Sequence, residues 1–446
     1  MKSLEIKPTE ENLFNTLLKD TIGRNLDVYA LAELLNTVEG SCSIAIDGSW
    51  GSGKTFFVKQ TKMVMDAHNA FVSSMKDEQK EEIKHLNTNL NLQPQVCVYY
   101  DAWENDNDDD PVLSLVYSII KFVDTDYTFH NDVDFIQKAA SILEFFTVRN
   151  WTDLIDNLKG SNALTEIEKA KSIEKDIKDF LDSLLAEKGN RLVIFVDELD
   201  RCKPSFAVKL LERIKHYFDN ERITFVFSIN TGELQHTIKN HYGNDFDACK
   251  YLDRFFDFRL TIPPVNKSKF FESIEFDEGT TTVNSICADM IEMYNFSMRE
   301  TTRYITAIKR IFDNPKRKIA GAEMLFPEGK AKHTCIFYIA PIIVGLNMSN
   351  REIYENFING KDPTPLIEIL SKYAELHLRG LLSKNETFDD NTNLKKVSIS
   401  EKLTLLYNTL FNTTYTYDMY EINLGSYTFT AETKRVLLEV VSSLSK

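Results

Sequence analysis

The chain has 446 residues, of which 43% are hydrophobic and 27% charged, with a net charge of −15. That length leaves room for two or three domains and a sizeable core, and the composition is that of a globular protein, not of a disordered, fibrous or collagen-like one. The acidity argues against a general nucleic-acid coat, and six scattered cysteines (Cys42, Cys97, Cys202, Cys249, Cys287 and Cys335) with no CxxC and no Cys/His cluster argue against a disulfide frame or a zinc site.

The charge is uneven: residues 1–260 carry −14 and residues 261–446 carry −1. The first residues, MKSLEIKPTEENLF, have no apolar signal core, so a cytoplasmic location is expected. Residues 11–39 read as helical with a break at Thr21–Leu26, and Val28–Val38 has apolar residues at helical spacing. The segment Asp20–Arg24 (DTIGR) has two readings, a hinge that contacts a nucleotide base and a helix-breaking glycine turn.

Ser43–Asp47 is a short apolar run of strand type. It leads into Gly48, Ser49, Trp50, Gly51, Ser52, Gly53, Lys54 and Thr55, a complete GxxxxGK[ST] phosphate loop, and then a helix over Phe56–His68. Strand, loop and helix in that order are the context this motif requires. Glycines let backbone N–H groups turn inward around phosphates, and the helix N-terminus adds its positive dipole end. Lys54 is expected to reach the β- and γ-phosphates, and Thr55 to place its hydroxyl on Mg²⁺.

Lys76–Lys84 reads as a charged, solvated helix. Gln95–Asp101 (QVCVYYD) is a second β-rich run. The carboxylates of Asp101–Asp110 that follow read as a solvated acidic loop or helix N-terminus in preference to a cation site. From Pro111 to Lys188 the pattern is helical.

Arg191–Val196 (RLVIFV) is a continuous apolar run, as expected of a parallel strand buried on both faces. Asp197 and Glu198 end it, where an open α/β sheet places its ligand site. Asp197 is expected to hold Mg²⁺ through water, and Glu198 to polarise the attacking water. After a helix over Ser205–Phe218, the strand Ile223–Ile229 ends in Asn230, whose side chain suits holding the same water. A last strand is expected over Phe256–Ile262, closed by Pro263–Pro264. No NKxD occurs, which points to ATP, not a guanine nucleotide.

Beyond Pro264 the strand–helix alternation stops and helical patterns dominate. Arg299, Arg303 and Arg310 fall on one helix face, and with Lys309, Lys316, Arg317 and Lys318 they form a basic ridge. His333–Asn350 is uncharged, but its apolar centre is short for a membrane span and contains Pro341 and Gly345, so a buried helix is expected. Thr413–Phe429 suggests a hairpin around Asn423-Leu424-Gly425, and Ala431–Leu444 an amphipathic helix.

The chain resembles the KAP family of P-loop NTPases. The resemblance rests on IAIDGSWGSGKT (44–55), YYDAWE (99–104), VIFVDELDRC (194–202), LLERIKHYF (210–218), YLDRFFDF (251–258) and FSMRETTRYITAIKR (296–310), in that order, over roughly residues 15–312. It implies an α/β P-loop core with a parallel sheet, of the additional-strand, catalytic-glutamate class. The expected division is a nucleotide-binding domain over 1–264, with a helical insert at about 104–190, and a mostly helical module over 265–446. It further implies a Mg²⁺-dependent ATPase that works as a switch, in a family many of whose bacterial members resemble parts of antiviral defence systems. Family members often carry transmembrane helices in the insert, but Asp106–Lys188 is too charged for that, so no membrane span is expected here.

Two arginines are candidates for contacting the γ-phosphate. Arg254 reads either as an arginine finger or as an ion-pair partner of Asp253, Asp257 or a neighbouring helix. Arg299 reads either as a sensor or as a surface arginine, and Arg201 competes for either role. The expected partners are ATP and either further copies of the chain or an effector subunit. A second reading is a nucleic-acid-acting ATPase that uses the 299–318 ridge, and a third a scaffold that keeps ATP as a structural cofactor, against which an intact Glu198 argues.

Overall fold

The computed structural model describes residues 6–108, 110–126, 177–185, 188–218, 220–279, 281–313, 322–373, 378, 386–388, 394–396, 398–411 and 421–442. Most of the expected helical insert lies outside the described residues, as do Lys316, Arg317 and Lys318 and the segment 413–420. The chain divides into two compact units, Lys7–Phe270 and one containing Phe271–Lys446.

The first unit is built on five parallel strands: β1 (Cys42–Asp47), β2 (Val96–Asp101), β3 (Leu192–Asp197), β4 (Ile223–Ile229) and β5 (Phe258–Thr261). Their order in the sheet is β2-β3-β4-β1-β5. An additional strand, β4, therefore separates β1, which feeds the phosphate loop, from β3, which ends in the two carboxylates. LVIFVD and ITFVFSI are buried at every position, as central strands covered on both faces must be.

Side chains alternate between the two faces. Val98, Tyr100, Ile194, Val196, Phe225 and Phe227 pack with the helix Pro111–Asp126, the helical residues 177–185 and the helix Pro204–Tyr217. Ile44, Ile46, Val193, Phe195 and Val226 pack against α1 (Glu10–Leu18), α2 (Asn25–Thr37) and α3 (Lys54–Ala67). Burying one such side chain contributes about 1.5–3 kcal/mol, so the two layers fix the sheet order firmly.

The last strand is shorter than its pattern suggests. Phe256 and Ile262 are buried, but Phe258–Thr261 form the paired strand, and all four of its residues are exposed. Asp257 explains the late start: its backbone N–H donates to the Ser43 carbonyl and its carboxylate accepts the Ser43 N–H, both at 2.8 Å.

The second unit is mostly helical. Its apolar helical stretch, Pro327–Ser349, is long and apolar enough to cross a membrane, and 72% of an 18-residue window within it is buried inside the protein. Gly345 has a packing reason, since a Cβ there would come within 2.5 Å of the Met290 methyl. Cys335–Ile339 widens into a π-turn just before Pro341, where the missing proline N–H removes one helical hydrogen bond. The Tyr304 hydroxyl donates to the Pro341 carbonyl at 2.9 Å. Glu421–Leu424 and Tyr427–Thr430 form an antiparallel hairpin through Gly425, whose φ is +60°.

Candidate nucleotide site

The phosphate loop leaves β1 at Asp47 and enters α3 at Lys54. Gly51 and Gly53 are left-handed, with φ of +79° and +88°, a conformation that a side chain would strain. Gly48 is close-packed instead: a Cβ there would lie 2.5 Å from the Ile262 side chain and 2.9 Å from Ser52 Oγ. The Ser52 hydroxyl is buried and, among the described residues, has no hydrogen-bond partner.

Lys54 is buried and folds over this loop. Its ammonium donates to the carbonyls of Gly48 at 2.6 Å and Ser49 at 3.2 Å. Burial lowers its pKa, against the pull of Asp200, Asp197, Glu198 and Asp47 around it. The Thr55 hydroxyl donates to Asp197 Oδ2 at 2.7 Å. The end of β3 therefore meets the start of α3, although 142 residues separate the two side chains.

Tyr99, on β2, donates its hydroxyl to the same Asp197 oxygen at 2.9 Å. Its pKa is pushed well up by burial and by the carboxylate beside it. Lys59 lies 4.1 Å from the centre of the Tyr99 ring. The sequence reading missed this tyrosine as a site residue. Alternation along β2 puts Tyr99 and Asp101 on one face, but only the strand register, with Asp101 opposite Asp197, brings that face to the site.

Glu198 adopts φ +60° and ψ +22°, uncommon for a residue with a side chain. Its carboxyl is partly buried, and burial together with the adjacent Asp197 pushes its pKa up to about 7, against the pull of Arg201. Arg201 Nε lies 2.6 Å from Glu198 Oε2. Next to it, Asp200 is 5% exposed and accepts the Trp50 indole N–H at 2.6 Å.

Arg24 closes the DTIGR segment and is 4% exposed. Its Nη1 donates to the Ser52 carbonyl at 2.9 Å, and burial lowers its pKa to about 10. The segment is a turn, with Gly23 at φ +71° against Asn266, and it braces the phosphate loop from behind.

The other expected residues have contacts of their own. Asn230 follows β4, but its Oδ1 caps the helix Thr231–Tyr242 by accepting the Glu233 N–H at 3.3 Å. Arg254 is exposed and lies over the Tyr251 ring, its Cζ 6.0 Å from the centroid. Its alternative ion-pair partners are otherwise engaged: Asp253 pairs with Arg259 at 2.6 Å, and Asp257 accepts the Ser43 N–H. Arg299 belongs to the second unit, exposed on the helix Met298–Asp313 with Arg303 and Arg310.

The acidic loop after β2 works as a cap: Asp110 Oδ1 accepts the Val112 N–H at 2.8 Å at the start of the helix Pro111–Asp126. Among the described residues no group of three or more His, Cys, Asp or Glu side chains is placed to hold a metal. The cysteines are all free, and only Cys249 is exposed.

An uncharacterized protein of Methanocaldococcus jannaschii is 26% identical over 171 residues, which cover 84% of that protein and 28% of this chain. Among solved structures, the ORC2 protein of Aeropyrum pernix in ADPNP–ADP complexes aligns with a TM-score of 0.34 and 12% identity over 95% of both chains. The Aeropyrum pernix ORC1 protein in complex with DNA aligns with a TM-score of 0.33 and 13% identity over 94% of this chain and 92% of that one. Both scores are low, and neither bears on the assignment. The model of the KAP family P-loop domain matches residues 25–313, well over half of the chain, which belongs to the KAP family of P-loop NTPases.

Proposed function

We propose that this chain binds ATP with Mg²⁺ and hydrolyses it, and that its nucleotide state works as a switch. One observation carries the reading: Thr55 and Asp197 meet at 2.7 Å at the carboxyl ends of β1 and β3, with Glu198 next in the chain and its pKa near 7. The donor set fits a nucleotide with its cation. Left-handed glycines, the unpartnered Ser52 hydroxyl and the Lys54 ammonium suit phosphate oxygens. A hydroxyl and a carboxylate are hard oxygen ligands of the kind Mg²⁺ takes.

In this reading Gly48–Thr55 cradle the phosphates. Thr55 and Asp197 would hold Mg²⁺, which would neutralise charge on the phosphates. Glu198 accepts the proton of the attacking water, and Asn230 orients that water. A pKa near 7 suits a base that works at neutral pH.

Arg254 is assigned as a finger that completes the site of a neighbouring copy, since it is exposed and pairs with no carboxylate among the described residues. Its replacement by Ala is expected to slow hydrolysis by about 10³–10⁵ without loss of ATP binding. Light scattering on Glu198→Gln with ATP should report a dimer or larger. A mutant that binds ATP and stays monomeric at tens of micromolar would rule this role out and leave Arg299 or Arg201 to act within one chain.

The exposed arginines of Met298–Asp313 favour a second reading, in which the ridge contacts nucleic-acid phosphates. Against it stand the net charge of −15 and the expectation that Arg299 senses nucleotide. The expected result is no submicromolar binding of duplex DNA at physiological salt. Tight binding whose salt slope drops by about one unit per residue on replacing Lys316, Arg317 and Lys318 with Ala would reverse the assignment. A role as the ATPase component of an antiviral defence system rests on family resemblance. It is tested by phage plating on cells that express the native chain or Lys54→Ala, with protection expected from the native chain alone.

A further inference from the structure

Arg201 is held on three sides. Its Nε lies 2.6 Å from Glu198 Oε2. Its Cζ lies 5.8 Å from the Trp50 ring centroid and 5.6 Å from that of Trp103. Both indoles are large apolar groups left open to solvent, 45% and 53% exposed. Trp50 is itself part of the phosphate loop, and its N–H is fixed on Asp200, the residue before Arg201. The arginine that holds Glu198 is thus stacked on a loop that would hold phosphates.

A carboxylate oxygen held by a guanidinium is turned towards that partner and is not free to accept a hydrogen bond from a water. Each restraint on Arg201 is weak. An exposed cation–π contact and a partly exposed ion pair are each worth a few-fold in an equilibrium, so moving one loop residue suffices to undo them. Glu198 has a left-handed backbone fixed at the end of a buried strand, so its side chain is the part able to turn from Arg201 towards a water.

We propose that Arg201 is a latch on Glu198, released through Trp50 when the phosphate loop takes up a nucleoside triphosphate. This rests on the reading of Glu198 as the base, and it makes Arg201 a positioning residue that acts through Glu198. The chain then hydrolyses slowly until its loop is ordered, as a switch requires.

The sequence has three tryptophans, so Trp151→Phe leaves Trp50 and Trp103 as the fluorophores. In that background, a non-hydrolysable ATP analogue with Mg²⁺ is expected to change the emission as Trp50 leaves Arg201. Arg201→Ala is expected to raise kcat/KM by about three- to tenfold, the worth of one weak pair, through a lower KM with kcat unchanged, because saturating ATP has already opened the latch. Adding Glu198→Gln should abolish that gain, which a general loosening of the structure would not explain. Arg201→Lys, which keeps the charge but loses the planar stack, should fall between. If circular dichroism shows Arg201→Ala to be unfolded, Arg201→Gln carries the same comparison. A KM that is unchanged or raised in the folded variant overturns the latch, and so does analogue binding that leaves the emission unaltered. If the native protein binds no nucleotide at all, the reading of the whole site fails, and the latch with it. If it binds and hydrolyses ATP but the variant shows no gain, the latch alone fails.

Discussion

Glu198→Gln is expected to lower ATP hydrolysis by about 10²–10⁴, the usual contribution of a positioned general base, while ATP still binds. The amide keeps the size and shape of the carboxyl but cannot take a proton from water. Asp197, which meets Thr55 at 2.7 Å, is untouched, so the proposed metal ligands remain. The protein should therefore accumulate in its ATP-bound form. Equilibrium titration with a fluorescent ATP analogue and steady-state phosphate release separate the two effects. Loss of binding, or hydrolysis at the native rate, would remove Glu198 from its role. Asp197→Ala should behave differently, weakening nucleotide binding itself whenever Mg²⁺ is required for it.

Lys54→Ala is expected to cut nucleotide affinity by about 10²–10⁴ and to take hydrolysis below detection. Its ammonium makes two short contacts to the loop carbonyls and has the reach to exchange them for phosphate oxygens. Each charge-assisted hydrogen bond is worth about 1.5–3 kcal/mol. Two of them correspond to that loss in affinity, since each 1.4 kcal/mol is tenfold. The fold should survive, because burying the ammonium already disfavours its charged form, as the lowered pKa reflects. Thermal unfolding should shift by only a few degrees. Hydrolysis at the native rate would mean that the active site lies elsewhere.

The phosphate loop was legible because its information is local: eight consecutive residues with fixed glycine spacing, between an apolar strand and a helix. The strand Ile223–Ile229 was read to the residue for a similar reason, since a continuous apolar run bounded by polar residues has one reading in a parallel sheet. The rest of the site is made by contacts that no local pattern encodes. Arg24 meets Ser52 across 28 residues, Tyr99 meets Asp197 across 98, and Trp50 meets Asp200 across 150. Only the strand order, with β2 beside β3 and β4 between β3 and β1, brings them together. The strand at Phe256–Ile262 was read too long because apolar content cannot tell an edge from a centre. The side-chain oxygen of Asn230 also caps a helix, a use that its place at the end of an apolar strand did not single out.

The pH dependence of single-turnover hydrolysis tests the central claim most directly. Burial and the charge of Asp197 raise the Glu198 pKa to about 7, so the group is protonated, and useless as a base, below that pH. With ATP and Mg²⁺ well below saturation, so that the groups of the free chain titrate, the native rate is expected to rise about tenfold per pH unit below that value and to level off above it. Glu198→Gln should be slow throughout and lack this limb. A native profile flat from pH 5.5 to about 8.5, or one that Glu198→Gln shares, would contradict the assignment of Glu198 as the base of an ATP-hydrolysing site.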